Sequence, residues 1–590
     1  MIIREQEGAY SGFLRVTLAS AWWKKFGILC LVCAAAAIAL PAQTLTTLHS
    51  FSGPPDGAAP FAGLVQATDG SFYGTTDAGG IYEGCFNGYS AGCGAAFKIT
   101  PSGAVSILHS FCAQGGMLCP DGYHPLAPVI QATDGNFYGT TPQGGAHNAG
   151  TVFKITASGT LTTLYAFCSQ SQCADGGYDG FTGAGLVQGA DGNFYGTTPY
   201  GGTNLQGTVF KITPAGALTV LYSFCSGGYG CPDGYYAITG LVQGTDGNFY
   251  GTTDDGGNLP PNNGGTVFKI TPSGALTTLY SFCSQGGTAC ADGNDPWAGL
   301  VQGTDGNFYG TTTWGGAHDR GTVFKITPSG TLTTLYSFCS QGGEACTDGN
   351  YPNSALLQAS DGNFYGTTDE GGNNNTIICG DGGCGTLFQI TPTGTLTTLY
   401  SFCSQSNCAD GANPFTAALV QATEGNLYGT TADGGTSNTC IIPYGCGTVF
   451  KLSLGQAPAV NLNPVSLTFG PQRVQAPNTP QVVTLTNTGQ ASLSITSIAV
   501  TGQNSGDFAQ ANNCPISPNA LAPGDYCSIT VYFFPAGAGT LSADVTVTDN
   551  APGSPQNVSL TGTGVSGKPG LAGPRGARQA AKPVAKPLHH

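Results

Sequence analysis

Charge is what this chain lacks most. Only 8% of its 590 residues are charged, and five of its 17 Lys and Arg residues (Lys568, Arg575, Arg578, Lys582, Lys586) crowd into the extreme C-terminus. The remainder is therefore more acidic than the formal net charge of −15 suggests, which argues against nucleic acid as a partner. Hydrophobic content is an ordinary 40%, so the shortage of charge describes a folded protein with a neutral polar surface and not a disordered chain. Long apolar runs are also missing, apart from the stretch from Phe26 to Leu40. That stretch is short for a transmembrane helix, which needs ~20 residues. It follows Lys24-Lys25 and ends at Pro41-Ala42, the layout of a signal peptide. The sequence thus predicts a cleaved segment 1–42, a mature chain beginning near Gln43, and no membrane span after it. A retained N-terminal anchor is the alternative, because Leu40 is a poor residue three positions before the cut.

What is abundant is glycine, 94 residues, and with it a repeat. Asp-Gly-Asn-Phe-Tyr-Gly-Thr-Thr recurs seven times with small changes, its tyrosines being Tyr73, Tyr138, Tyr195, Tyr250, Tyr309, Tyr365 and Tyr428. A period of this size made of short strands and turns points to propeller blades or a solenoid. One repeat decides between them. Gly240-Leu-Val-Gln-Gly-Thr reads as a strand, and Asp246-Gly247 as a hairpin turn needing positive φ. Asn248-Phe-Tyr-Gly-Thr-Thr is a second strand rich in aromatic and β-branched residues. Gly265-Thr-Val-Phe-Lys-Ile-Thr is a third, and after Pro272-Ser-Gly274 the run from Ala275 to Phe282 is a fourth. Four hairpin-linked strands are a propeller blade. The repeat region opens out of phase, on a lone fourth strand (44–51), and closes on a third strand (447–452) with no fourth. The N-terminal strand is expected to complete the last blade and remove two exposed sheet edges.

Cysteine is plentiful at 22 residues. Beyond Cys30 and Cys33 the cysteines come in close pairs, present or absent together from repeat to repeat, as disulfide partners are. Ten local disulfides are expected: Cys85–Cys93, Cys112–Cys119, Cys168–Cys173, Cys225–Cys231, Cys283–Cys290, Cys339–Cys346, Cys379–Cys384, Cys403–Cys408, Cys440–Cys446 and Cys514–Cys527. Zinc is the rival reading, but it wants four ligands and no single loop offers more than two cysteines. No metal or cofactor is expected. Disulfides at this density need an oxidising compartment, periplasmic, cell-surface or extracellular.

From Ala459 the period breaks. Alternating runs at 465–469, 481–486, 493–500, 527–534, 539–547 and 556–561 have the spacing of an immunoglobulin-like sandwich. The expected fold is all-β, with a seven-bladed propeller over 43–456, the sandwich over 459–566, and a flexible basic tail, 567–590, too short in Gly-X-Y triplets for a collagen helix.

Two resemblances accompany this reading. Leu485-Thr-Asn-Thr-Gly489, Asp507-Phe508, Leu521-Ala-Pro-Gly524 and Leu560-Thr-Gly-Thr-Gly564 resemble the Hydin-like, ASH-type immunoglobulin domains of bacterial surface proteins, often called choice-of-anchor domains. The run from Gly240 to Thr253 resembles the bacterial tandem family of GloVer repeats, and its core also resembles the blade motif of sensor-type regulator propellers. The resemblance implies an exported or surface-associated protein and implies no activity.

In a four-strand meander the loops after the second and fourth strands emerge on one side. Here those loops vary in length and carry nearly all the paired cysteines, while the opposite turns are uniform. Variable loops on a rigid frame are where binding usually resides. The residues expected to hold a ligand there are Trp297, Trp314, Tyr200, His124, His147, His318, Asp319, Asp254 and Asp369, with Asp255, Arg320 and Glu370 beside them. Tryptophan and tyrosine beside carboxylates suit stacking on and hydrogen bonding to sugars; a merely decorated polar rim is the bland alternative. His318-Asp319-Arg320 lacks an evident nucleophile, so no catalytic residues are assigned. The recurring interblade aspartates (Asp56, Asp121, Asp175, Asp233, Asp292, Asp348, Asp410) offer one carboxylate per loop, which is turn chemistry before it is calcium binding. The sequence thus predicts a non-enzymatic exported binding protein whose partner is a glycan or an envelope or extracellular protein. A carbohydrate-active enzyme with carboxylates on that face, or a purely structural envelope protein, are the alternatives.

Overall fold

The computed structural model describes residues 43–566 except 83, 86–91, 114–118, 179–183, 229, 258–262, 286–289, 375, 377–378, 380–381, 417, 424, 438, 441–444, 455–457, 475–478, 490–491, 518 and 552. The expected signal segment 1–42 and basic tail 567–590 lie outside the described residues.

The protein is all-β, built on repeated four-stranded sheets. Sheet 1 contains Val65–Gln66, Phe72–Thr76, Ala95–Ile99 and Val105–Ser110 in sequence order, all antiparallel. Sheets 2 to 6 repeat this meander over 130–166, 187–223, 242–281, 301–337 and 357–401. Sheet 7 takes three strands from 420–453, and Thr44–Ser50 supplies its outer strand, antiparallel to Thr448–Ser453.

The repeat motif explains the packing. Phe249–Thr253 is buried along its whole length, and its neighbour Thr266–Ile270 leaves only Lys269 partly exposed. A Cβ on Gly251 would come within 2.7 Å of Leu241 and 2.8 Å of Phe268, so the glycine permits the aromatic ring to lie flat on the strand. The first strand is shorter than its sequence suggests, Val242–Gln243 only. The flanking backbone is spent on the turn, with Gly244 N donating to Asn248 O and Gly247 N to Gly244 O.

Each sheet touches the next through the same two devices. The motif tyrosine stacks on the motif phenylalanine of the following sheet, as Tyr73 on Phe137, Tyr138 on Phe194, Tyr195 on Phe249, Tyr250 on Phe308 and Tyr309 on Phe364, at centroid distances of 3.9–4.0 Å. Leu427 replaces the phenylalanine in sheet 7 and shares a core with Tyr365. Tyr428 then stacks on Phe72 of sheet 1 at 4.1 Å. The second device is a glutamine relay. Gln131, Gln188, Gln243, Gln302, Gln358, Gln421 and Gln66 each accept a backbone N–H from the preceding sheet's first turn at 2.8–2.9 Å, the last from Thr423 of sheet 7 back to sheet 1.

The repeated lysine also has a structural use. Lys154 Nζ donates to Asp134 Oδ2 at 2.8 Å, and Tyr138 OH donates to the same oxygen at 2.9 Å. Burial opposes ionisation of Asp134, but the bonds from Lys154, Asn136 and Tyr138 win and hold its pKa well below the usual carboxylate range.

Beyond residue 459 two further sheets form. One runs Val460–Asn463, Gln481–Asn487, Tyr526–Phe533, Phe508–Asn512; the other runs Ser466–Arg473, Gln556–Val565, Gly539–Asp549, Ile495–Thr501, with the first pair parallel. Both contribute to one core that includes Leu485, Ile529, Val531, Val545, Val547 and Leu560. Two of these strands escape the sequence pattern. Val460–Asn463 is short, and Phe-Ala-Gln-Ala-Asn at 508–512 lacks a clear apolar alternation.

Candidate loop face

The loop that follows each fourth strand is zipped to the loop after the second strand of the next sheet. Single bridges join Ala58 to Ala78, Tyr123 to Gln143, Gly177 to Tyr200, Tyr235 to Asp255, Asn294 to Trp314, Asn350 to Glu370 and Ala412 to Asp433. The variable loops are therefore one paired structure at a common edge of the sheets. Ten disulfides among the described residues brace it and the C-terminal sheets, each joining near neighbours in sequence from Cys85–Cys93 to Cys514–Cys527.

The recurring aspartates hold these loops from within. Asp175, fully buried, accepts at Oδ2 from Ser169 N, Ser169 Oγ and Tyr165 OH, and at Oδ1 from Gln170 N. Asp292, Asp348 and Asp410 repeat the arrangement with Tyr280, Tyr336 and Tyr400. A buried carboxylate so saturated by donors is a loop clasp, not a ligand.

In six of the seven loops between sheets a residue at positive φ stands two places after the recurring Asp-Gly: Ala59, His124, Tyr236, Asp295, Tyr351 and Asn413, with φ between 50° and 61°. Such backbone is uncommon outside glycine and fixes where the side chain goes. Opposite these residues lie Asp77, Asp254, Thr313, Asp369 and Ala432, whose N–H groups donate to the carbonyls of Ala59, Tyr236, Asp295, Tyr351 and Asn413. The result is a cluster of acids between sheets 4 and 5. Burial first, then the charges of Asp295 and Asp255, push Asp254 up to about 8. Burial, then Asp255 and Asp319, push Asp295 to about 7. Asp254 Oδ1 is buried with no hydrogen-bond partner among the described residues. A second pair lies between sheets 6 and 7. Asp369 rises to about 7 through burial and Glu370, and Asp433 to about 7 through burial and Asp369.

The candidate ligand residues divide into three groups. Tyr200, Trp297 and Trp314 present their rings to solvent at 40%, 36% and 36% exposure. Trp314 packs at 4.5 Å on Tyr351, which also receives Arg320 Nη1 on its hydroxyl at 2.6 Å. Trp297 meets Phe415 edge-on at 6.1 Å, and Phe415 meets Phe61 at 6.0 Å, so aromatic rings from sheets 5, 7 and 1 converge. Tyr200 stands beside an open depression of about 280 Å³, lined also by Tyr178, Leu205 and Ala149. His147, His318 and Asp319 are exposed, and Asp319 Oδ1 accepts from Gly315 N at 3.0 Å.

The third group corrects the sequence reading. His124 is only 4% exposed, its Nδ1 held against Asp77 O at 2.7 Å and Asp77 Oδ1 at 3.1 Å. Burial alone would depress its pKa, but the Asp77 carboxylate raises it. It is a bridge between sheets and not a surface ligand. Asp254 is buried and Asp369 half-buried, because the zipped loops close over the residue that follows each Gly-Thr-Thr. Asp295, Asp433, Phe61 and Phe415 were not selected from the sequence. The available signal was a non-repeated residue at a repeated position, one or two places from a recurring proline.

Cysteines counted loop by loop number two at most, yet in sheets 1 and 6 two such loops meet. The Sγ atoms of Cys85, Cys93, Cys112 and Cys119 lie within 4.8 Å of one another, as do those of Cys379, Cys384, Cys403 and Cys408.

Fold and loop face together define a repeat-built, disulfide-rich β-protein with a C-terminal Ig-like domain. The sequence matches the Gloeobacter/Verrucomicrobia repeat over residues 36–175, 80–291 and 287–487, and the chain belongs to that family. Residues 458–563 match the HYDIN/CFA65/VesB-like, Ig-like domain. Among solved structures the chain is similar to the ASH / PapD-like domain of human CEP192, with 20% identity, a TM-score of 0.14, and 19% of this chain and 89% of that one covered. It is also similar to a putative oxidoreductase (glucose dehydrogenase) of Thermus thermophilus, with 14% identity, a TM-score of 0.28, and 70% and 100% covered. A PL25 ulvan lyase is similar at 10% identity, a TM-score of 0.33, and 57% and 84% covered. No curated protein matches the sequence.

Proposed function

We propose that this is an exported binding protein whose seven sheets are the blades of a propeller, closed by Thr44–Ser50, and whose loop face holds a glycan. The C-terminal sheets form an immunoglobulin-like sandwich that serves as a spacer or docking module. The observation that carries the reading is the set of exposed rings, Tyr200, Trp297 and Trp314, on disulfide-braced loops beside acids. Exposed aromatic rings give sugars a stacking face, and fixed loops reduce the entropy lost on binding. Glycan-array binding of the intact protein is expected to be saturable, and Trp297→Ala or Trp314→Ala should weaken it at least tenfold, about 1.4 kcal/mol. Unchanged affinity in both variants would move the ligand off this face. Saturable binding of an envelope protein in place of any glycan would keep the face and change the partner. No saturable ligand of either kind leaves a structural envelope protein.

A second reading has one observation of its own. Asp254 at about 8 and Asp295 at about 7 retain a proton where a general acid needs one, as in carboxylate-based glycoside hydrolysis. Under that reading a bound glycan is turned over, and Asp254→Asn, with no proton to give the leaving oxygen, abolishes bond cleavage while leaving binding intact.

Export rests on the disulfides, which persist in oxidising compartments. Among the described residues no helix is long and apolar enough to cross a membrane. N-terminal sequencing of the protein recovered from culture medium or periplasm is expected to begin near Gln43. A chain still starting at Met1 in the membrane fraction would overturn cleavage.

A further inference from the structure

The two four-cysteine groups have the make-up of a different kind of site. In sheet 6, Cys379 and Cys384 come from the loop after the second strand and Cys403 and Cys408 from the loop after the fourth. The hairpin between them returns the chain to the same edge. The spacing is Cys-x4-Cys, 18 residues, Cys-x4-Cys, within the pattern of tetrathiolate zinc sites. Sheet 1 repeats the 18-residue span between Cys93 and Cys112, with wider pairs on either side. A zinc ion at its usual ~2.3 Å from four sulfurs needs them ~3.8 Å apart. Cys379 Sγ and Cys403 Sγ, which belong to different disulfides, lie 3.8 Å apart. Cys384, Cys403 and Cys408 are buried, and Thr376 Oγ1 lies 3.8, 3.7, 3.6 and 3.5 Å from the sulfurs of Cys379, Cys384, Cys403 and Cys408. That hydroxyl can donate to a thiolate and so support the negative charge of a tetrathiolate complex.

The same chain supplies its own controls. Cys168–Cys173, Cys225–Cys231, Cys283–Cys290 and Cys339–Cys346 occupy the equivalent loop with no second pair facing them among the described residues. In sheet 7 the Cys440–Cys446 pair faces the cysteine-free loop at Gly53, where an added Cβ would stand 3.5 Å from Cys440 Sγ.

We infer that Cys379, Cys384, Cys403 and Cys408, and in a second copy Cys85, Cys93, Cys112 and Cys119, form sites for a thiophilic divalent ion, zinc, in the reduced protein. Two disulfides and one ion are then alternative cross-links of the same four sulfurs. A phosphine reductant gives two electrons to each S–S bond and leaves as its oxide, the oxygen and the thiol protons coming from water. Zinc then displaces four protons and forms four Zn–S bonds, a reaction favoured by higher pH. Soft sulfur donors in a tetrahedron select zinc over calcium or magnesium.

The test uses the full chain, reduced with a phosphine, loaded with zinc, desalted and assayed for metal per chain. Two zinc ions are expected, falling to one in Cys403→Ser/Cys408→Ser and staying at two in Cys283→Ser/Cys290→Ser. Cobalt(II) in place of zinc should show the intense visible bands of a tetrahedral tetrathiolate site, halved in the first variant. Metal that falls equally with either pair removed would be adventitious thiol binding and would overturn the inference. So would a reduced chain that unfolds by circular dichroism and retains no zinc.

Discussion

A chain lacking residues 44–51 is expected to lose the cooperative melting transition of the repeat region and to aggregate. Residues 44–50 of that segment are the outer strand of sheet 7, paired along Thr448–Ser453 from Thr44 opposite Ser453 to Ser50 opposite Thr448. Phe51, fully buried, follows them, packs edge-on against Phe97 of sheet 1 at 5.2 Å, and donates its N–H to Gly447 O. Deleting the segment exposes the edge of Thr448–Ser453 and strips apolar cover from two adjoining sheets, which invites pairing between chains. Phe51→Ala is the graded version. Removing a fully buried phenylalanine costs about 3–5 kcal/mol, read as a lower melting temperature with the fold retained. Melting of the truncated chain at the temperature of the intact one would show that the strand does not tie sheet 7 to sheet 1.

The second large effect is on pH dependence. The native state lifts Asp254 from 3.8 to about 8, and Asp295, Asp369 and Asp433 to about 7. A raised carboxylate pKa means the folded protein holds a proton that the unfolded chain releases. The associated stability is complete below pH ~4 and is lost as pH rises through about 7 to 8. After burial, the charges of Asp295 and Asp255 raise Asp254 and those of Asp255 and Asp319 raise Asp295, so this loss of stability belongs to the cluster and not to one carboxylate. Asp134 and Asp305, whose pKa values are lowered, act in the opposite sense and lose their contribution only in acid. Thermal stability should therefore fall between pH 5 and pH 9. Asp254→Asn, neutral at every pH, should match the parent near pH 4 and exceed it by several kcal/mol near pH 9. Parallel melting curves for the two proteins across that range would refute the assignment.

Much of this architecture was legible in seven copies of one motif. Phe249-Tyr-Gly-Thr-Thr253 is a strand by composition, and its recurrence beside Asp-Gly and Pro-Ser-Gly turns specifies a meander of four. The out-of-phase ends named the pairing of residues 44–51 with 447–452 from counting alone, because strand complementarity is a property of order along the chain. Cysteine pairing was legible for the same reason: partners gained and lost together are close in sequence. The first strand was overestimated because Gly240 and Gly244 are equally at home in a turn. The acid cluster was only half seen. Asp254 and Asp255 stood out as non-repeated, but Asp295 became their neighbour only through a left-handed residue in another loop.

By itself the sequence determined the all-β class, the order of the four strands in each repeat and the local pairing of the cysteines, which follow from composition, spacing and repetition, while two strands of the C-terminal sheets escaped it. The tertiary structure decided exposure and encounter. It buried His124 against Asp77, left Trp297 and Trp314 open to solvent, pressed Asp254 toward Asp295, and brought two cysteine pairs 18 residues apart into one group. These outcomes depend on how loops from successive sheets close over one another. Burial and through-space charge are set by that closure, and residues distant along the chain carry no mark of it in their order.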